Sequence, residues 1–85
     1  MTETASLQHG IHWQTARQLL ASALQVEPPQ LDAEAAIGRT ERWDSLAHMR
    51  LVLVLEEHLG RTLTTEEMLA LESLADIAAF LDGAP

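Results

Sequence analysis

The chain has 85 residues, of which 47% are hydrophobic and 4% aromatic, with a formal net charge of −8 and no cysteine. A chain of this length forms at most one domain, and its composition predicts a modest core of Leu, Ala, Val and Ile. It is too short to form the several elements that surround a deep substrate cleft. The negative charge argues against nucleic acid as a partner and favours basic protein surfaces, and the missing cysteines exclude disulfides, thiolate zinc sites and a thiol nucleophile.

Residues 1–10, MTETASLQHG, are polar and mixed, and we interpret them as a flexible lead-in. They contain neither the basic region nor the apolar stretch of a signal peptide. The apolar run at residues 51–55 is far too short to span a bilayer. We therefore expect a cytoplasmic protein whose single domain covers residues 11–82.

The first predicted helix covers residues 11–25. Its apolar positions recur at intervals of three and four, as one face of an amphipathic helix requires; they are Trp13, Ala16, Leu20, Ala23 and Leu24. Pro28 and Pro29 end the helix, because proline has no backbone N–H and disfavours helical geometry in the residue before it.

Residues 30–43 show neither a helical period nor strand alternation, and they contain Gly38. This pattern predicts a long loop. Loops of such length in a compact domain are uncommon and usually carry function or are held by buried side chains. Leu31, Ile37 and Trp43 are the expected anchors.

Three further helices follow. The second covers residues 45–59 and ends at Gly60, a residue suited to a helix end. The third begins after Thr64 and continues to about Ala70. The last begins near Ser73, which stands in a capping relation to Asp76. The apolar face of the last helix contains Leu74, Ile77, Ala78 and Leu81. The predicted fold is all-α, a four-helix bundle with a long loop between helices one and two and a short third helix.

The second helix has two distinct faces. A mostly apolar stripe should face the core, and it contains His48, Leu51, Val52, Leu55 and Leu59. The opposite stripe contains Leu46, Arg50, Leu53 and Glu57, and its two charged members predict a solvated face. Isolated surface leucines are ordinary, but two leucines beside charges also suit a docking surface, so both interpretations stay open.

Asp44 and Ser45 stand where the chain enters this helix. Asp44 is a good N-cap, and the simplest interpretation is a capping pair and nothing more. The alternative is that Ser45 is a covalent attachment point, since a helix N-terminus favours a phosphate. Trp43 is most simply a loop anchor, although a large ring there could also shield whatever Ser45 carries.

Two enzyme-like interpretations fail. Asp44, Ser45 and His48 are too close together on one helix to form a hydrolase triad with separate oxyanion donors, and no G-x-S-x-G motif is present. His9, His12 and His58 form no metal-binding motif, so no metal site is expected.

The D-S-L motif at residues 44–46, followed by a long apolar helix ending L-E-E-x-L-G, resembles the acyl carrier proteins. The similarity continues through the T-E-E start of the third helix and residues 73–77, and covers about residues 11–81. Further apolar positions that this family fills are Val26, Ile37, Leu63 and Leu71.

This resemblance implies that Ser45 is esterified by 4′-phosphopantetheine, with Asp44 and Leu46 completing the attachment motif. A separate magnesium-dependent phosphopantetheinyl transferase would deliver the group from coenzyme A, and its thiol would hold acyl groups as thioesters. The protein itself would catalyse nothing. Its other expected partners are an acyl- or aminoacyl-loading ligase and downstream transferases or synthases, which it would meet as a monomer.

The resemblance also assigns a docking surface to the second helix. Its expected members are Leu46, Arg50, Leu53, Glu56 and Glu57. Arg42 and Trp43 replace the usual glycine-rich approach, and Ala47 and Arg50 stand where fatty-acid carriers commonly have acids. We therefore expect a specialised carrier in a secondary-metabolite, sugar-modifying or aminoacyl-transfer pathway. The alternative is an unmodified helical adaptor that only docks partners.

Overall fold

The structure is a computed structural model that describes residues 11–83. These residues form four α-helices, which are α1 (Ile11–Leu24), α2 (Ser45–Leu59), α3 (Thr65–Ala70) and α4 (Leu74–Gly83), and a short 3₁₀ helix at Pro28–Gln30. Within the described range the only β-type pairing is an isolated bridge between Ala36 and Ser73. The predicted all-α fold is confirmed. The predicted lead-in at residues 1–10 lies outside the described residues.

The central helix of the domain is α1, which packs against both α2 and α4. Every residue of its predicted apolar face is buried, as are the inner-face residues Leu51, Val52 and Leu55 of α2 and Leu74, Ile77 and Leu81 of α4. Burial of this aliphatic surface is the main force that holds the helices together, at about 25 cal/mol per Å² removed from water. Among the predicted core residues, His48, Leu59 and Ala78 are half-buried.

The long loop is held against the bundle by side chains and by backbone pairing. Leu31 and Trp43 are buried as predicted, whereas Ile37 is only half-buried and Ala35 is the third buried anchor. The backbone N–H of Leu74 donates to the carbonyl of Ala35 at 2.9 Å. This bond ties the loop to the start of α4 at the buried residue Ala35.

The helix ends agree with the capping residues read from the sequence. Asp44 caps α2, and Gly60 ends it with a left-handed φ of 75°, a conformation that glycine adopts without steric cost. Thr64 and Glu67 form a capping box at α3, and the Ser73 hydroxyl accepts from the Asp76 N–H at 3.0 Å. The 3₁₀ helix at Pro28–Gln30 was not predicted, and α1 ends one residue before the predicted position.

No helix within residues 11–83 is long and apolar enough to cross a membrane.

Candidate functional site

Ser45 is the first residue of α2 and is exposed to solvent. Asp44 precedes it in an extended conformation, and its Oδ1 accepts a hydrogen bond from the Ala47 N–H at 2.9 Å. This bond satisfies one of the amides that a helix start leaves without an intrahelical partner. Asp44 therefore fixes the start of α2 and presents the hydroxyl-bearing residue on the surface, at the end of a helix.

Trp43 anchors the loop in the core and links it to two helices. The side chain is 2% exposed, and its Nε1–H donates to His48 Nδ1 at 3.1 Å. Because the indole nitrogen can only donate, Nδ1 is the acceptor, and the proton of the neutral imidazole is on Nε2. That nitrogen lies 3.0 Å from the Met68 carbonyl, to which it donates. The burial of Trp43 supports the loop-anchor interpretation and leaves almost no ring surface for the alternative role as a shield.

The exposed face of α2 carries an apolar patch. Leu46 and Leu53 are each 63% exposed, in agreement with the predicted solvated stripe, and Met49 between them is 55% exposed. We call Leu46, Met49 and Leu53 the α2 patch. Sequence reasoning missed Met49, although its spacing of three from Leu46 and four to Leu53 places it on the same helix face.

Two predicted members of the docking surface have structural partners instead of lying free in solvent. Arg50 is half-buried, and its Nη1 donates to the Ala23 carbonyl at 3.2 Å. Glu56 is also half-buried, and its Oε2 accepts from the Leu63 N–H at 2.8 Å. The prediction of a solvated Arg50 was therefore wrong, because the C-terminal end of α1 lies within its reach. Glu57 is exposed, as predicted.

The clearest electrostatic feature is an ion pair at the junction of α2 and α3. Arg61 holds Glu67 with two hydrogen bonds, of 3.1 Å to Oε1 and 3.0 Å to Oε2. The hydrogen bond from Arg61, followed by that from the Thr64 N–H, lowers the pKa of Glu67 from 4.5 to about 2. Glu67 also accepts that Thr64 bond as part of the capping box, so the pair fixes the start of α3.

No cluster of three or more His, Cys, Asp or Glu side chains that could hold a metal ion occurs in the part of the chain that the structure describes.

Residues 14–81 match the family model described as "Phosphopantetheine attachment site". The match covers most of the chain and almost the whole helical bundle. Domains of this family carry covalently bound 4′-phosphopantetheine and act as carriers, not as catalysts, in agreement with the resemblance noted from the sequence. No curated protein and no solved structure matches the chain significantly. The chain therefore belongs to the family of phosphopantetheine-binding carrier proteins.

Proposed function

We propose that Ser45 is the attachment residue and that the protein carries acyl or aminoacyl groups as thioesters between the enzymes of a specialised biosynthetic pathway. The observation that carries this proposal is the position of Ser45. It is an exposed hydroxyl residue at the start of α2, directly after the Asp44 cap, within the residues that match the family.

The surroundings of Ser45 fit an attached phosphate ester. The first-turn amides of α2 and the positive end of its helix dipole favour a negative group at this end of the helix. No acidic residue lies in the first turn of α2, and the one carboxylate next to Ser45, that of Asp44, is engaged with the Ala47 N–H. When bound, 4′-phosphopantetheine supplies the thiol that holds the cargo.

The attachment step uses only the Ser45 hydroxyl from this chain. Its oxygen forms a bond to the pantetheine-bearing phosphorus of coenzyme A, and the bond from that phosphorus to the bridging diphosphate oxygen breaks. The adenosine bisphosphate half of coenzyme A leaves, and the hydroxyl proton passes to a base on the transferase. Because Ser45 is exposed and lies at the end of a helix, a separate enzyme can approach it.

The exposed face of α2 supports the specialised character of the proposed pathway. Residues 45–55 contain no acidic side chain, and the α2 patch presents apolar surface over the same turns. Glu57 is the exposed acid near the far end of the helix, whereas Glu56 is engaged with Leu63. A partner that docks here meets apolar surface close to Ser45, which suits apolar contacts more than a strongly basic patch. Leu46, Met49, Leu53 and Glu57 are our proposed docking residues.

Intact mass measurement tests the proposal. The protein is incubated with coenzyme A and a broad-specificity phosphopantetheinyl transferase, then weighed and mapped by peptide digestion. The native chain should gain the mass of one phosphopantetheine on the peptide that contains Ser45. Ser45→Ala should gain nothing while keeping its helical circular dichroism, because the substitution removes one exposed hydroxyl and leaves the Asp44 cap in place.

Ser22 provides a matched control, since it is another exposed helical serine. Ser22→Ala should be modified like the native protein. If the native chain gains no mass, or if Ser45→Ala is still modified, Ser45 is not the attachment residue. Binding of partners by a chain that is never modified would favour the alternative function, a helical adaptor.

A further inference from the structure

A small groove lies beside the start of α2 and contains two arginines. Its volume is about 170 Å³, and its lining residues are Leu24, Gln25, Arg42, Asp44, Leu46 and Arg50. One wall is the C-terminal end of α1 with the residue after it, and the other is the approach to α2 with its first turns. Asp44 and Leu46 are the two chain neighbours of Ser45, so the groove lies next to the proposed attachment residue.

Backbone carbonyls at the end of α1 hold both arginines in place. Nη1 of Arg50 donates to the Ala23 carbonyl at 3.2 Å, and Nη1 of Arg42 donates to the Gln25 carbonyl at 3.4 Å. A guanidinium group has five N–H donors, so each arginine can donate further hydrogen bonds towards the groove. The carbonyl bonds therefore orient the two guanidinium groups and leave other N–H donors of each available.

The charges around the groove leave it positive. Elsewhere, Arg39 pairs with Glu34 and Arg61 with Glu67, but the ion pairs among residues 11–83 include neither Arg42 nor Arg50. Asp44 is the one acidic lining residue. The lining therefore carries two positive charges against one negative charge, in a chain with a net charge of −8, and this local balance favours an anion.

Capping of α1 is the simplest role for these arginines, since cations near a helix C-terminus are favourable. Two features of Arg42 go beyond it. Arg42 is an exposed residue, and its bond to the Gln25 carbonyl uses one of its five N–H donors. Its φ of 77° lies in the left-handed region, which glycine adopts without steric cost. Glycine would adopt this backbone conformation more easily than arginine. The arginine at this position nevertheless places a positive charge near Ser45.

We propose that Arg42 and Arg50 bind the phosphodiester of the phosphopantetheine arm attached to Ser45. This inference rests on the proposed function. Guanidinium groups form strong, charge-assisted hydrogen bonds with phosphate oxygens, and covalent attachment at Ser45 gives the phosphate a high effective concentration at the groove. The two arginines then fix the base of the arm between α1 and α2 and restrict the directions in which its thiol end can extend.

Phosphorus NMR of the modified protein, freed of coenzyme A, tests this inference. The compared proteins are native, Arg42→Gln, the double variant Arg42→Gln/Arg50→Gln, and the control Arg61→Gln. This control matches Arg42→Gln in net charge but acts at the other end of α2. Spectra are recorded at ionic strengths of about 0.01 M and about 1 M, where the Debye length is about 30 Å and about 3 Å. Circular dichroism verifies that each variant is folded.

The native phosphorus signal should differ in chemical shift from that of the digested peptide that carries the same Ser45 phosphodiester outside the fold, and high salt should reduce the difference. Arg42→Gln should reduce this difference, the double variant should reduce it by more than half, and Arg61→Gln should leave it unchanged. Identical signals in the native protein and the double variant, with the mass increase at Ser45 intact, would overturn this inference alone. A missing mass increase would overturn the proposed function, and this inference with it.

Discussion

The hydrogen bond from Trp43 to His48 makes a testable contribution to stability. His48→Leu removes the Nδ1 acceptor and leaves the indole N–H of Trp43, which is 2% exposed, without its partner. A buried donor without a partner costs about 1–3 kcal/mol. The carbonyl of Met68 also loses the bond from His48 Nε2, but Met68 is half-buried, so water can replace that donor at little cost.

We therefore expect His48→Leu to lower the free energy of unfolding by about 1–3 kcal/mol. A domain of this size has a total stability of roughly 4–13 kcal/mol, so the loss is a substantial fraction of it. The melting midpoint should fall by about 4–8 °C for each kcal/mol lost. Trp43→Phe should also destabilise the protein, since it removes the donor and reduces the volume of a buried ring.

A double-mutant cycle measured by urea unfolding separates this bond from packing. In Trp43→Phe/His48→Leu the unpaired indole N–H no longer exists, so the combined loss should be smaller than the sum of the single losses by about 1 kcal/mol. Equal slopes of free energy against urea concentration would verify that the four proteins unfold comparably. Additivity within about 0.5 kcal/mol would refute the bond as a stabilising contact.

Three further predictions concern α2 and its ends. Asp44→Ala should cost about 0.5–2 kcal/mol, the usual loss for an N-cap, and should slow modification; an unchanged melting midpoint would contradict the capping role. Arg50→Glu should cost about 1–2 kcal/mol in urea unfolding, because it removes the bond to Ala23 and places a negative charge at the C-terminal end of α1; a change below about 0.5 kcal/mol would indicate a solvated side chain. Glu67, whose pKa is lowered from 4.5 to about 2, stabilises the fold above pH 4.5, and this contribution is lost as the pH falls from there through 2. Arg61→Gln should raise the pKa of Glu67 in a carbon NMR titration. An unchanged pKa would contradict the ion pair.

The helix boundaries could be predicted because their signals are local. Asp44, Gly60, Thr64 and Ser73 act on amides or carbonyls within four residues of themselves, and such interactions follow from spacing alone. The apolar period likewise predicted the inner faces of α1, α2 and α4. Ser45 could be identified as a candidate attachment residue for the same reason, since it directly follows the capping residue Asp44 in the sequence.

The environment of the site could not be predicted in the same way. Arg50 bonds to a carbonyl 27 residues away, and His48 to one 20 residues away. Such contacts depend on how α1 and α3 lie against α2, which spacing within one helix does not determine. The helical period placed Arg50 correctly on the outer stripe of α2, but the position of the neighbouring helix end decides that its guanidinium is half-buried.

The antiparallel packing of α1 and α4 separates the two ends of the bundle. His12 Nε2 lies 3.6 Å from Asp82 Oδ1, so the start of α1 is next to the end of α4. The other end of α1 contacts the approach to α2, and a helix of this length extends about 20 Å. A tether, label or fused domain joined after residue 83 would therefore emerge at the end of the bundle opposite Ser45. Immobilising the protein through that end should leave Ser45 and the start of α2 accessible to enzymes that approach from solution.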